Sequence, residues 1–174
     1  MEVRKGRLCE LDKWCTPPRG MIKLNTDAYL GEEGWIGLGI VARDCQGKVC
    51  FSAVRRTRAC WPAAIAECKA IYMAARMAKA HGLANIIIES DSQVVTNRLT
   101  NETLYFADLD NILGDVLSLC NVFESVKFLH VKRDGNVVAH HLARVVPFGV
   151  EQCWENHCPR EVAPYVLMDT LSLD

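Results

Sequence analysis

The chain has 174 residues and a mass of 19.5 kDa, the size of one ordinary domain with or without trailing ends. Half of the residues are hydrophobic and 24% are charged, a globular composition that excludes disorder, collagen-like repeats and long coiled coils. The 20 basic and 21 acidic residues leave a net charge of −1, so any polyanionic partner would have to be held by a local basic patch.

The sequence contains no apolar run of the roughly 20 residues that a spanning helix needs, so we expect no membrane partner. Its first residues are charged and lack an apolar stretch behind them, which predicts an intracellular chain without a secretory signal. Nine cysteines, an odd number, match no common disulfide framework and favour reduced thiols. The cluster Cys153-x-x-x-His157-Cys158 is an incomplete zinc motif, and ordinary thiols are the favoured interpretation.

Proline and glycine positions divide the chain into three parts. Residues 1–19 show little periodicity and predict a lead-in segment, residues 20–147 form the organised domain, and residues 148–174 form a C-terminal extension.

The hydrophobic pattern of the domain predicts its elements in chain order. Alternating residues predict an antiparallel meander of three strands over 22–28, 35–43 and 48–54, and a helix follows over 62–82. The remaining elements are a buried parallel strand, two helices, a fifth strand and a last helix, over 85–91, 92–100, 109–120, 125–131 and 136–146. This order predicts an α/β fold with a mixed sheet, the first strand central and helices on its faces.

Three acidic residues lie at the ends of predicted strands or near the start of the first predicted helix. Asp27 and Asp91 end the first and fourth strands, whose carboxyl ends should meet at one edge of the sheet. Glu67 lies one turn into the helix that crosses between them. Three converging carboxylates repel one another unless cations bind, so the pattern predicts a site for Mg²⁺ or Mn²⁺. Taken singly, Asp27 and Asp91 are also compatible with turns, and Glu67 with a solvated helix face.

Four segments then occur in order at the spacings typical of one family: Lys23-Leu24-Asn25-Thr26-Asp27, Ala66-Glu67, Glu89-Ser90-Asp91-Ser92 and Asn136-x-x-Ala139-x-x-Leu142-Ala143-Arg144. Together they resemble the plant ribonuclease-H-like domain family, which occurs free-standing and at the ends of non-LTR retrotransposon polyproteins. The resemblance covers roughly residues 14–170, including a lead-in with Trp14 and a tail with Trp154.

The resemblance implies a ribonuclease H-like fold, a five-stranded mixed sheet of order 3-2-1-4-5 with helices on both faces. It implies hydrolysis of the RNA strand of RNA–DNA hybrids with two divalent ions, one activating water and the other stabilising the leaving 3′ oxygen. Asp27 would be shared by both ions, while Glu67 and Asp91 would complete the water-activating site. His130 matches a family histidine that assists proton transfer or product release, although a strand histidine without a chemical role fits equally well.

Two residues depart from the family pattern. Ala28 replaces the usual Gly after the first Asp, and His140 stands at the fourth carboxylate, where a neutral imidazole suits Mg²⁺ poorly. Asp134 is an alternative ligand, but a turn position is favoured for it. His141 borders the apolar stripe of its helix. The His140 departure keeps an alternative function open: a catalytically weakened nucleic-acid-binding or interaction module on the same fold.

Substrate contacts are less specific. Arg55, Arg56 and Arg58 follow the third predicted strand and fit either phosphate contacts or a solvated strand end. The segment 100–110 has no basic residue, whereas some ribonucleases H carry a basic protrusion there, so we expect a weaker grip on the hybrid. Tyr29, two residues after Asp27, replaces the Glu that a related 3′–5′ exonuclease would carry.

Overall fold

The computed structural model describes residues 13–101 and 108–173, and a six-stranded sheet lies at its centre. The strands are β1 Ile22–Leu30, β2 Trp35–Arg43, β3 Val49–Arg58, β4 Asn85–Ser90, β5 Ser125–His130 and β6 Glu151–Glu155. Their order is β5-β4-β1-β2-β3-β6, with β1 antiparallel to β2 and parallel to β4. The order expected for five strands is confirmed, and the expected number is wrong by one. β6 was missed because it is a short edge strand with charged ends and little apolar alternation.

Helices cover both faces of the sheet, as expected. The first group is α1 Ala63–Ala80, α2 Gln93–Thr100 and α3 Asp108–Cys120, which bury the larger apolar cluster on one face. The second group is α4 Val137–Leu142 and α5 Ala163–Leu171, which pack on the other face. Among the described residues, none of these helices has the length and apolarity needed to cross a membrane.

Three predicted boundaries are wrong. β1 continues to Leu30 because β2 supplies antiparallel partners beyond the end of its pairing with β4. β3 continues to Arg58, so the three arginines lie in the strand rather than after it. α4 ends at Leu142 instead of near 146, and the chain turns there toward Pro147. In each case a partner that is distant in sequence, or a following turn, decides the boundary.

Two glycines let α4 lie directly against the backbone of β2. A Cβ on Gly39 would stand 2.4 Å from the Ala143 nitrogen, and one on Gly37 would stand 1.8 Å from the Ala143 oxygen. No side chain fits in either place without moving the helix. Because Gly39 pairs with Asp27, this close approach places α4 beside the acidic end of the sheet.

A buried amide network fixes the start of α4 to β1. Asn25 Nδ2 donates to Glu89 Oε2 at 2.9 Å and to Asn136 Oδ1 at 3.1 Å, and Asn136 Nδ2 donates to the Thr26 oxygen at 2.9 Å. Trp14 Nε1 donates to Asn25 Oδ1 at 2.9 Å, which attaches the lead-in segment to the same network. Asn25 and Asn136 are almost completely buried, so the loss of either side chain would leave buried polar groups without a hydrogen-bond partner.

Candidate active site

Three carboxylates meet where β1 loses its neighbour β4. The last β1–β4 pair is Thr26 with Ser90, and Asp27 and Asp91 are the residues that follow. Glu67, in the second turn of α1, reaches the same place, and one oxygen from each of the three acids lies within 4.8 Å of the others. The sheet geometry therefore brings together the acids that the sequence pattern selected.

Glu67 has an unusual environment for a carboxylate. Its Oε1 accepts a hydrogen bond from the Ala28 N–H at 3.3 Å, while its buried Oε2 has no hydrogen-bond partner among the described residues. Burial, followed by the charges of Asp27 and Asp91, raises the pKa of Glu67 to about 9. A partnerless buried oxygen beside two further carboxylates forms an all-oxygen donor set, which fits a hard divalent cation such as Mg²⁺ or Mn²⁺.

The metal-free protein should become less stable as the pH rises, because of Glu67. The folded state keeps a proton that the unfolded chain releases near its ordinary pKa, so this stabilisation is complete below about pH 4.5 and lost as the pH rises through about 9. Glu67→Gln should flatten this dependence and raise the free energy of unfolding near pH 8 by on the order of 2 kcal/mol. Urea unfolding in EDTA across this pH range measures both effects.

Glu161→Gln is the matched control for that measurement, because Glu161 is exposed. Its unfolding should follow the wild-type pH dependence. Equal pH slopes for wild type and Glu67→Gln would contradict the assignment of the retained proton to Glu67.

His130 lies beside Asp91 at the exposed end of β5. Its Nε2–H donates to the backbone oxygen of Asp91 at 3.2 Å. Burial and the charge of Asp27 raise the pKa of Asp91, and Arg133, His140 and His130 oppose that shift. The imidazole is therefore near the acids and open to solvent.

His140 faces the acids from α4. Its Nδ1–H donates to Asp27 Oδ2 at 3.1 Å, and its backbone oxygen accepts a hydrogen bond from Arg144 at 2.8 Å. His141 faces away and stacks on Tyr165 of α5, with ring centroids 3.7 Å apart. Asp134 lies exposed in the 3₁₀ turn Arg133–Gly135 and does not line the acidic cleft. Of these residues, His140 is the one in contact with a site carboxylate.

The acids lie in an open cleft of about 500 Å³, and two of its lining residues are arginines for which the sequence predicted no role in the site. Arg133 and Arg144 both line it, and the Arg144 guanidinium stacks over the Tyr29 ring at 4.4 Å from the centroid. Arg144 belongs to the motif that carries the family resemblance, and its position four residues after His140 on the same helical face is the signal for a place in the site. Arg133 carries no comparable sequence signal.

A second cleft of about 430 Å³ adjoins the first and shares Tyr29 and Arg144 with it. Arg56 lines this cleft and stacks over the Trp35 ring at 4.3 Å. The other two predicted arginines form ion pairs with glutamates, and Arg58 also lies over the Trp35 ring at 5.1 Å from the centroid. Arg55 pairs with Glu151 at 3.5 Å, and Arg58 pairs with Glu33 at 3.6 Å. The structure therefore separates Arg56, which lines a cleft, from Arg55 and Arg58, whose charges are partly met by glutamates.

The predicted basic-poor segment 100–110 falls mostly outside the described residues, since 102–107 are among those not described.

A family model described as Reverse transcriptase-like matches residues 25–146, more than half of the chain, and the protein belongs to that family. No curated protein matches the chain.

Solved ribonucleases H share the fold. RNase H1 from the halophilic archaeon Halobacterium salinarum NRC-1 is 24% identical, covers 70% of this chain and 93% of its own, and has a TM-score of 0.64. The N-terminal RNase H domain of a Mycobacterium tuberculosis protein is 20% identical, with 71% and 91% covered and a TM-score of 0.65. LC11-RNase H1 in complex with an RNA/DNA hybrid is 18% identical, with 70% and 92% covered and a TM-score of 0.63. At these identities the likeness establishes the RNase H-like α/β fold.

Proposed function

We propose that this protein is a metal-dependent endonuclease that hydrolyses the RNA strand of RNA–DNA hybrids, and that it is a member of the plant ribonuclease-H-like group. The observation that carries the proposal is the convergence of Asp27, Glu67 and Asp91 within 4.8 Å, with a buried Glu67 oxygen lacking a partner among the described residues. LC11-RNase H1, which shares the fold, was crystallised with an RNA/DNA hybrid, and that observation motivates the choice of substrate.

Asp27, Glu67, Asp91 and His140 would hold two divalent ions, Mg²⁺ or Mn²⁺, with Asp27 shared between them. Bound ions at such a site activate water and stabilise the leaving oxygen. The task of the acids is to present negative charge, and Glu67 must first release the proton that burial retains on it. The low exposure of Asp27, 4%, keeps its charge from being screened by water.

Other side chains would act on substrate and protons. His130, exposed beside Asp91, is placed to accept or return a proton. Arg133 and Arg144 line the acidic cleft and would attract phosphate groups to a site whose acids otherwise repel them. In the adjoining cleft, which Glu32 and Glu33 also line, Arg56 and Trp35 would supply a cation and an aromatic ring to a nucleic-acid strand.

One observation favours a second candidate function, a catalytically weakened binding module on the same fold. His140 brings no negative charge, and its Nδ1–H is already bonded to Asp27. A hybrid could then be held by Arg56, Arg133 and Arg144 without being cut.

Cleavage of a labelled RNA–DNA hybrid in Mg²⁺, Mn²⁺ or EDTA separates the two candidates. The endonuclease should cut the RNA strand in either metal and leave the DNA strand intact, and it should show no cleavage in EDTA. Duplex DNA of the same sequence serves as the control substrate. Hybrid binding without cleavage in both metals would establish the weakened module instead.

A further inference from the structure

A second group of metal-binding side chains lies at edge strand β6, away from the acidic cleft. His81 Nε2, Cys153 Sγ and a Glu155 oxygen all lie within 4.8 Å of one another. His81 follows the last residue of α1, while Cys153 and Glu155 lie in β6. Glu67 is near the other end of α1, so about 20 Å of helix separates the two groups.

The ring of His81 is held in the orientation of a metal ligand. Its Nδ1–H donates to the Met77 oxygen at 2.8 Å, and the ring stacks on Phe51 with centroids 3.9 Å apart. A metal-binding histidine characteristically donates its other ring nitrogen to such a backbone carbonyl. Because Nδ1 carries that proton, Nε2 is left to face Glu155 Oε1 at 2.8 Å. A ring lone pair and a carboxylate oxygen at this distance require a proton or a cation between them.

We propose that His81, Cys153 and Glu155 form a site for Zn²⁺ or a similar transition-metal ion, independent of the nuclease site. One nitrogen, one thiolate sulfur and one carboxylate oxygen are all zinc ligands, whereas the sulfur disfavours Mg²⁺. The thiolate and the carboxylate together neutralise a divalent ion. Three protein ligands leave the fourth tetrahedral position open to water.

The structure replaces the incomplete zinc motif of the sequence with this one. Cys158 is buried with Val41 and Val162 on the α5 side of the sheet, whereas Cys153 faces His81. His157 directs its Nδ1 to the backbone of Glu155. The missing ligand comes from residue 81, which no local spacing could indicate. An ion bound there would cross-link β6 to the end of α1 and stabilise the outermost strand of the sheet.

Cobalt(II) is the probe for the site, because a cysteine thiolate bound to it gives a charge-transfer absorption band. Metal-free protein in reducing buffer should develop this band in wild type and in two controls. Cys60→Ser removes an exposed thiol outside the site, and Asp27→Asn changes the acidic cleft. Cys153→Ser should abolish the band. A band that persists in Cys153→Ser, or is absent from wild type, would overturn the proposal.

Zinc titration followed by thermal unfolding tests the histidine separately. His81→Phe keeps a ring to stack on Phe51 but removes the ligand nitrogen. Zn²⁺ should raise the melting temperature of Asp27→Asn, because the three ligands assembled in the folded state bind it more tightly than the unfolded chain does. Zn²⁺ should bind the double variant, which combines Asp27→Asn with His81→Phe, at least about tenfold more weakly than it binds Asp27→Asn alone. Equal zinc protection of both proteins would show that His81 is not a ligand and overturn the site.

Discussion

An RNA–DNA hybrid should remain uncut when Asp27→Asn replaces the wild-type protein. Asp27 is the acid common to the whole site: its charge raises the pKa of both Glu67 and Asp91, and it accepts the hydrogen bond from His140. Asparagine keeps the size and the hydrogen-bond acceptor but removes the negative charge that cations require. We expect the single-turnover cleavage rate to fall by at least about 1,000-fold, and Asp91→Asn to act similarly.

Asp134→Asn is the matched control, because Asp134 is an exposed acid in the turn before α4. It should retain the wild-type rate. Wild-type cleavage by Asp27→Asn or Asp91→Asn would remove these acids from the active site. A large loss in Asp134→Asn alone would instead move the fourth ligand to that turn.

Asp27→Asn should also remain folded, which makes its loss of activity interpretable. In EDTA the variant should melt above wild type, because the charge at residue 27 no longer repels the neighbouring Asp91 carboxylate. Mg²⁺ should raise the melting temperature of wild type more than that of the variant, since it binds the folded site of wild type more tightly. Equal metal responses in the two proteins would contradict a preorganised cation site.

The acids could be predicted because their positions follow from local pattern plus one topological rule. Asp27 and Asp91 each follow the last paired residue of neighbouring parallel strands, although Asp27 does not end β1, which continues to Leu30. The position of Glu67 at the same edge of the sheet follows from the right-handed crossover that contains α1. The orientation of residue 140 toward the acids and of 141 away from them likewise follows from helical phase, and the structure has both.

The features that the sequence did not predict depend on contacts between residues that are distant in sequence. β6 forms because β3 offers it an unpaired edge, and its own five residues carry no strong strand pattern. The burial of Asn25 is set by contacts with Glu89 and Asn136, 64 and 111 residues away. His81 meets Glu155 across a separation of 74 residues. Such contacts are decided by tertiary packing, which single-sequence periodicity does not contain.

His140→Asp should raise the Mg²⁺-dependent rate of hybrid cleavage. His140 is the α4 residue in contact with Asp27, at the position where the resembled family has its fourth carboxylate. Mn²⁺ accepts mixed nitrogen and oxygen ligands more readily than Mg²⁺ does, so wild type should prefer Mn²⁺. A carboxylate at 140 supplies a charged oxygen ligand. It should increase the cleavage rate in Mg²⁺ by on the order of tenfold, which corresponds to about 1.4 kcal/mol of activation free energy. The preference for Mn²⁺ over Mg²⁺ should become smaller.

His141→Asp is the matched control for that change, because it places the same charge one residue along α4. His141 stacks on Tyr165 and faces α5 rather than the acids, so the substitution should leave metal preference unchanged and lower the free energy of unfolding by about 1–3 kcal/mol. Cleavage in each metal, measured with thermal unfolding for all three proteins, separates ligand chemistry from stability. If His140→Asp stays folded and its Mg²⁺ rate is unchanged or lower, then residue 140 is not a ligand position. The second ion would then have to be held by Asp27 and its neighbouring acids without α4, because His141, on the far side of the helix, contacts none of them.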